Sequence, residues 1–291
     1  MATPENTLDE VVRTMIRTAA GRVLDTEQAA LADEPDGVHR HRTRVRRFRS
    51  ILAMLGDQLE PGPTQRVRGQ LREWGTQLGT VRDAEVVAAE TDAAMKAEGI
   101  DDEALRRRLV DEPLAEYARR HARLVRLRDQ PRAEARMRDL HTFAAHPPLV
   151  DTDLDAVTAF TAVLRKEVRR VKKAASRLDG SLESLHDVRK AGRRLRYAAE
   201  AVVAAGPASL ADAAAVAAKA GSHLHDVLGG HRDAVALAER LDRARVRASR
   251  AGESVAGYER MMATAVERAD ARLSQLDDAL AQVRAASAAL S

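Results

Sequence analysis

The same arginine-rich pattern occurs twice in this chain, 147 residues apart. Residues 39–49 read HRHRTRVRRFR and residues 186–196 read HDVRKAGRRLR, so both fit H-x-x-R-x-x-x-R-R-[apolar]-R. A second pattern, L-G-x-x-R-D-A, follows each copy at residues 78–84 and 228–234, with a spacing of 150 residues. Two ordered patterns at nearly equal spacing indicate an internal repeat. We therefore predict one domain over residues 1–291, with an N-terminal half at 1–148 and a C-terminal half at 149–291.

The composition and its periodicity indicate an all-helical fold. Hydrophobic residues make up 45% of the chain but aromatic residues only 2%, so the core must be built from small aliphatic side chains. A capping-box pattern at Thr7 and Glu10 predicts the start of the first helix. Breaks rich in Gly, Pro and Asp follow at residues 33–37, 60–63, 98–102, 129–131 and 145–153. The segments between them, roughly 15 to 25 residues long, suit helical bundles, and Trp74 is expected in the core. We predict two pseudosymmetric antiparallel bundles.

Arginine dominates the charge of the chain. Lys and Arg total 48 residues, only six of which are lysine, against 44 acidic residues, and cysteine is absent. Arginine favours phosphate and other planar anions as partners over a diffuse acidic surface. Without cysteine, disulfides, thiolate nucleophiles and Cys-containing zinc sites are excluded. No stretch resembles a signal peptide or a membrane span, so we expect a cytoplasmic protein that does not enter membranes.

On a helix, each copy of the repeated motif forms a basic stripe opposite an apolar face. In the first copy the stripe covers an arc of roughly 80°. It consists of His39, Arg42, Arg46 and Arg49, with Val38, Val45, Phe48 and Leu52 on the opposite arc. In the second copy it consists of His186, Arg189, Arg193 and Arg196, beside Lys190, with Leu185, Val188, Leu195 and Ala199 behind. The apolar arcs are expected to face the core.

The first stripe carries no acidic compensation of its own. Residues 37–56 contain no Asp or Glu, so like charges three and four residues apart repel each other and cost stability. Either acidic side chains of a neighbouring helix or a bound polyanion must offset this repulsion. Arginine forks match phosphate oxygens, so a chain of phosphates is the favoured ligand.

The helices that precede the two motifs carry further base. These residues are Arg13 and Arg17 in the first half, and Arg165, Arg169 and Lys172 in the second. If each of these helices packs beside its motif helix, the stripes merge into one basic strip. If the two halves also face each other, the strips form a basic groove or channel.

The repeated motif, the L-G-x-x-R-D-A pattern and the segment LHDVRKAGRRLRYAAE at 185–200 resemble the CHAD family, the conserved histidine α-helical domain. The resemblance covers nearly the whole chain. It implies two pseudosymmetric four-helix bundles around a basic central cavity, binding of inorganic polyphosphate and association with polyphosphate granules. It also implies that the two stripes line that cavity. Arg40 replaces the Asp that is common after the first histidine, while His41 and Arg44 add base to the first copy.

Other residues have less specific interpretations. His39 and His41, like His223 and His225, are two residues apart and make poor metal chelates, so we predict no metal site. The pairs Arg82-Asp83 and Arg232-Asp233 follow glycines and are interpreted as structural turns in which Asp caps a helix. Arg119, Arg123 and Arg126 share one helix face, which is either solvated or part of the cavity rim.

We predict a non-catalytic polyphosphate-binding protein without a cofactor. The alternative is an accessory domain that acts with a polyphosphate- or triphosphate-processing enzyme, because some relatives in the family carry an ExExK tunnel domain. This chain has no ExExK motif, P-loop or carboxylate cluster that suggests catalysis of its own. Nucleic-acid binding is less favoured, because only Phe48 and Tyr197 place aromatic rings among the basic stripes.

Overall fold

The computed structural model describes residues 7–290, and this part of the chain is built from α-helices. In chain order they are α1 (Leu8–Leu31), α2 (Gly37–Met54), α3 (Pro61–Ala97), α4 (Glu103–Arg106), α5 (Glu112–Arg128), α6 (Pro131–Ala145), α7 (Ala156–Ala175), α8 (Leu182–Ala205), α9 (Ala211–Arg250), α10 (Ala256–Leu273) and α11 (Leu276–Ala289). A π-helical turn, Arg107–Asp111, joins α4 to α5, and a 3₁₀ turn, Ala208–Leu210, precedes α9. The predicted all-α fold is confirmed.

Several helix ends follow the predicted signals. The Thr7 hydroxyl accepts a hydrogen bond from the Glu10 backbone N–H at 3.3 Å, and the Glu10 carboxylate accepts one from the Thr7 N–H at 2.9 Å. This reciprocal pair is the predicted capping box. Four of the five predicted breaks separate helices, whereas the break at 60–63 overlaps the first turn of α3, which begins at Pro61. The residues at the two ends of the predicted domain, 1–6 and 291, lie outside the described part of the chain.

The two longest helices exceed the predicted lengths and correct one interpretation. α3 has 37 residues and α9 has 40, and both run without interruption through the L-G-x-x-R-D-A pattern. Asp83 and Asp233 therefore lie inside helices, so the predicted structural turns are wrong. A glycine costs a helix only about 1 kcal/mol, and the burial of Leu78, Val81 and Leu228 in the same pattern outweighs that cost.

The described chain divides into two compact units, and each unit draws on both halves of the sequence. Unit 1 contains residues 7–76, 128–226 and 277–290, and unit 2 contains residues 77–127 and 227–276. In both long helices the change of unit falls beside the L-G-x-x-R-D-A pattern. The predicted division at residue 148 is a division of the sequence repeat and stays a prediction for the fold.

Unit 1 contains both motif helices and buries their predicted apolar arcs. α1 packs on α2, α7 packs on α8, and α2 contacts α8. The eight predicted core residues of the two motifs are each at most 6% exposed, and Trp74 is 3% exposed. The predicted core faces are confirmed. The arginines of the two motifs therefore lie on the opposite arcs of α2 and α8.

Unit 2 has its own core, formed by aliphatic side chains of α3, α4, the π-helical turn, α9 and α10 around Tyr258. Its partly buried arginines are compensated by carboxylates. Arg108 donates two hydrogen bonds to Glu253, both at 2.8 Å, and Arg240 pairs with Glu90.

No helix between residues 7 and 290 combines the length and the apolar composition that a membrane span requires.

Candidate anion-binding site

Arginines from both motif copies meet around Arg193 in unit 1. Burial lowers the pKa of the Arg193 guanidinium to about 10, and three neighbouring cations add to the effect. These neighbours are Arg46, Arg189 and Arg42. A cation's pKa falls in this way when burial and like charges both disfavour its charged form. Arg42, Arg46, Arg189 and Arg193, two from each motif copy, are called the arginine cluster below.

The centre of the arginine cluster is not compensated by carboxylates. The Arg46 Nε donates a hydrogen bond to the Tyr197 hydroxyl at 3.2 Å. Within residues 7–290, no carboxylate lies at ion-pairing distance from Arg46 or Arg193. Arginines that flank the cluster differ, because Arg47 pairs with Glu200 at 2.9 Å. Neighbouring acids therefore offset part of the charge on α2 but leave the two central guanidinium groups available to an anion.

His225 on α9 lies against the arginine cluster. Burial and the surrounding arginines lower the pKa of its imidazole to about 3, so the ring is neutral at pH 7. The arginines responsible are Arg189, Arg193, Arg46 and Arg196. The His225 Nδ1 is buried and has no hydrogen-bond partner in the described chain. A buried nitrogen without a hydrogen-bond partner costs free energy. This position is therefore suited to a ligand that supplies a hydrogen-bond partner to the imidazole.

A glycine brings α9 close enough to α8 for this contact. A Cβ at Gly221 would lie 2.6 Å from the backbone nitrogen of Arg196, which is closer than real Cβ atoms come. His225 follows Gly221 by one helical turn, so it lies on the same side of α9. In the first half, Gly75 of α3 lies against α2, and its Cβ would lie 3.7 Å from an Arg49 guanidinium nitrogen. Each motif thus ends on an arginine that contacts a glycine of a long helix.

Arg49 belongs to a second group of cations. Burial lowers its pKa, and Arg68 and Arg72 on α3 lower it further. Burial also lowers the pKa of Arg68. Among its charged neighbours, Arg194 of α8 lowers this pKa the most. The sequence analysis did not select Arg68 or Arg72. Their signal was present, because they lie four residues apart in a stretch from 61 to 72 that contains no acid.

His41 is part of the core, which corrects the expectation that it adds base to the first motif. Its Nε2 accepts a hydrogen bond from the Trp74 indole N–H at 2.8 Å, and its Nδ1 lies 3.0 Å from the Thr26 hydroxyl. Burial, and then the charge of Arg136, lower its pKa to about 4. His41 is therefore neutral at pH 7, because its burial disfavours the charged form.

The surroundings of His41 form one connected network in the interior of unit 1. The Arg136 guanidinium lies 4.1 Å from the centre of the Trp74 ring and donates to Glu27 at 2.7 Å. Glu27, His41 and Arg136 are all less than 9% exposed. We call Glu27, Thr26, His41, Trp74 and Arg136 the His41 network. It links α1, α2, α3 and α6, and its buried polar groups have partners within the protein.

A model of the CHAD domain matches residues 14–242 of this chain. The chain belongs to the CHAD domain family. The resemblance found in the repeated motifs is therefore confirmed.

Two curated proteins of Mycobacterium tuberculosis and two solved structures are similar to this CHAD domain. Proteins MT2285 (strain CDC 1551 / Oshkosh) and Rv2226 (strain H37Rv) are each 29% identical to it over 273 residues, which is 89% of this chain and 50% of theirs. The chain thus spans about half the length of these relatives. The crystal structure of the CHAD domain from the plant Ricinus communis has a TM-score of 0.71 at 21% identity, covering 98% of this chain and 94% of that one. PptA from Streptomyces chartreusis has a TM-score of 0.72 at 18% identity, covering 94% and 99%. Both structures share the all-α fold.

The additional base predicted on the preceding helices of this CHAD domain has several different environments. Arg13 lies 3.9 Å from Asp9, and the Arg165 Nε donates to the backbone carbonyl of Leu290 at 2.6 Å. The part of Arg13 and Arg165 in binding, and the merging of the stripes into one basic strip, stay predictions. Arg17, Arg169 and Lys172 are exposed. The part of these three residues in binding stays a prediction.

The remaining predicted residues of this CHAD domain are at least partly exposed, and several of them pair with carboxylates. His39 is half-buried and His186 is exposed, each in the first turns of its motif helix. Lys190 pairs with Asp187 at 2.9 Å, and Arg196 with Glu200 at 2.7 Å. In unit 2, Arg119 is exposed and pairs with Glu116. Among residues 7–290, no three His, Asp or Glu side chains are placed to share a metal ion.

Proposed function

We propose that this CHAD domain binds inorganic polyphosphate at the arginine cluster and catalyses no reaction itself. The observation that carries the proposal is the meeting of arginines from both motif copies around Arg193, where no carboxylate of residues 7–290 lies at ion-pairing distance from Arg46 or Arg193. Uncompensated, partly buried cations are costly without a ligand and favourable with an anion between them. Guanidinium groups suit phosphate oxygens because they can bind two of them at once.

A polymer suits the site better than a single phosphate. The arginine cluster and the neighbouring group of Arg49, Arg68 and Arg72 both use side chains of α2, so they lie along one helix. A chain of phosphates can occupy both groups at once, and the second contact then forms at high effective concentration. In this proposal the chain acts at polyphosphate granules, and any turnover of the polymer is carried out by another domain or a separate enzyme.

A competition experiment tests the choice of ligand. Long-chain polyphosphate is bound to the full chain at physiological salt and challenged with duplex DNA, RNA and orthophosphate at matched total charge. We expect polyphosphate to be retained against all three, and its affinity to fall steeply as salt increases. Ready displacement by duplex DNA would contradict the proposal. Release of phosphate from the bound polymer by the purified chain would contradict its non-catalytic part.

A charge reversal tests the location of the site. The double variant Arg46→Glu/Arg193→Glu removes the two central cations and should weaken polyphosphate binding by about a hundredfold or more. The control Arg132→Glu/Arg138→Glu makes the same change in net charge on exposed side chains of α6 and should bind nearly as well as the original chain. Circular dichroism checks that both variants remain helical. Equal loss in both variants would contradict a localised site.

A further inference from the structure

A pocket lies between α1, α2 and α8, on a face of α2 that the basic stripe does not occupy. Its walls come from one face of each helix, including Thr14, Thr18 and Arg22 of α1 at intervals of one turn. Its empty volume is about 560 Å³, including the part open to solvent. None of the four residues of the arginine cluster lines it. We call it the α1–α2–α8 pocket.

Three arginines surround the α1–α2–α8 pocket. They are Arg22 of α1 and Arg44 and Arg47 of α2. Burial lowers the pKa of Arg47; Glu200 opposes this effect, while Arg22 and Arg44 add to it. Glu200 is the carboxylate that pairs with Arg47, and it also accepts a hydrogen bond from Arg196 at 2.7 Å. One shared carboxylate therefore leaves the mouth of the pocket positively charged.

The floor of the pocket is apolar. Met15, Phe48 and Ile51 contribute large side chains, and α8 contributes alanines at 201, 204 and 205. Met15, Phe48 and Ile51 lie beneath this floor at no more than 4% exposure, and the short side chains of Ala204 and Ala205 supply accessible apolar surface on α8. A cationic mouth over an apolar floor recognises a ligand with one anionic end and one compact apolar end.

The second copy of the motif does not repeat this arrangement. Ala191 occupies the position that corresponds to Arg44. Arg194 corresponds to Arg47, and it donates to Glu167 at 2.9 and 3.1 Å, so its charge is compensated. A pocket also lies between α7 and α8, but its lining includes Ala191 and the compensated Arg194, so the three-arginine lining that contains Arg44 is particular to the first copy.

We propose that the α1–α2–α8 pocket is a second binding site, which takes a small phosphate monoester with a compact apolar or aromatic group. The phosphate lies among Arg22, Arg44 and Arg47, and the apolar group contacts Ala204 and Ala205 of α8, above the core residues Phe48 and Ile51. This site is separate from the polyphosphate site because its ligand is small and needs the apolar floor.

Titration of the full chain with 1-naphthyl phosphate, followed by its fluorescence, tests this proposal. We expect saturable binding, and much weaker competition from orthophosphate and from 1-naphthol, each of which lacks one half of the ligand. Arg44→Ala, which introduces the residue found in the second copy, should weaken binding about tenfold. Ala204→Leu, at an exposed alanine of the pocket, should block the floor and weaken binding at least as much. Arg138→Ala, on α6 outside the pocket, is the control and should leave the affinity for 1-naphthyl phosphate unchanged.

Three results would overturn the proposal. The first is that 1-naphthyl phosphate does not bind, and the second is that Arg44→Ala binds it with the affinity of the original chain. The third is that Arg46→Glu/Arg193→Glu loses 1-naphthyl phosphate binding while Arg44→Ala retains it. Polyphosphate affinity of Ala204→Leu is measured in parallel and should stay within about twofold of the original value, since the substitution changes no charge. If only 1-naphthyl phosphate fails to bind, the proposed polyphosphate site still stands. If only polyphosphate fails to bind, the proposed site in the α1–α2–α8 pocket still stands.

Discussion

The His41 network, and the arginine cluster with its neighbour His225, both combine histidine and arginine side chains in unit 1. Their polar groups differ in whether the protein itself supplies hydrogen-bond and ion-pair partners. In the His41 network, both imidazole nitrogens have neighbours, and Arg136 has a carboxylate at 2.7 Å. At the arginine cluster, Arg193 is surrounded by other cations, and the neighbouring His225 Nδ1 has no hydrogen-bond partner among residues 7–290. Both histidines have a strongly lowered pKa, so the pKa alone does not distinguish them.

The difference separates stability from binding. A buried polar network that is fully satisfied holds helices in one arrangement, whereas a partly satisfied one costs free energy in the absence of a ligand. We infer that the His41 network stabilises unit 1 and that the arginine cluster lowers the stability of the free protein in exchange for anion affinity.

The largest expected effect comes from removing one charge of each region. Glu27→Ala leaves Arg136 buried without its carboxylate and should cost about 3–5 kcal/mol of unfolding free energy. Arg193→Met removes a partly buried cation that has no carboxylate, so it should be neutral or stabilising by about 1 kcal/mol. Urea unfolding of both variants measures these values. A loss in Arg193→Met as large as that in Glu27→Ala would show that the two regions are alike.

The pH dependence of stability should carry a contribution from His41. Its pKa is about 4 in the folded protein and near 6.5 when unfolded, so the unfolded state binds a proton first as pH falls. The stabilisation is fully present above pH 6.5 and is lost as pH falls towards 4, with a total of about 3 kcal/mol.

The variant His41→Gln isolates this contribution. Glutamine can accept the Trp74 hydrogen bond but does not titrate, while His225, whose pKa is shifted in the same direction, stays in both proteins. Unfolding free energies measured from pH 7.5 to pH 4.5 should fall more steeply in the original chain than in the variant. Parallel curves would exclude a neutral, buried His41.

The smallest expected effect concerns the approach of α9 to α8. Gly221→Ala places a Cβ against the backbone of Arg196, which should cost about 1–3 kcal/mol and also weaken polyphosphate binding by moving His225. The control is Gly229→Ala on the same helix, where a Cβ meets no atom within 4 Å. That variant should be about 0.5–1 kcal/mol more stable, because alanine favours the helix. Thermal unfolding compares the two, and equal stability would contradict the close approach.

Periodicity predicted which residues share a helix face, but it did not predict which faces meet. The arcs behind the two motifs were assigned correctly because residue positions on a helix follow from its geometry. The sequence pattern indicated only that His225 is a poor metal chelator. It did not predict the contact of His225 with the arginine cluster, because that contact depends on the packing of α9 against α8. His41 and His39 look alike in sequence, yet two positions on a helix separate a core residue from a stripe residue.

The interpretation of the L-G-x-x-R-D-A pattern failed for a different reason. Glycine indicates a break only when local preference decides the conformation, and here the burial of neighbouring leucines decides it. The same pattern still has a structural meaning, because it lies where α3 and α9 pass from one compact unit to the other.

The most direct test of the polyphosphate site is an NMR titration of the histidine rings in ¹⁵N-labelled full-length chain, with and without polyphosphate. A polyanion within the arginine cluster adds negative charge beside His225, so its pKa should rise from about 3 towards the ordinary value and its ring signals should shift. The signals and pKa of His41, inside its satisfied network, should stay unchanged. Saturating polyphosphate that leaves the His225 signals and pKa unaltered would contradict binding at the arginine cluster.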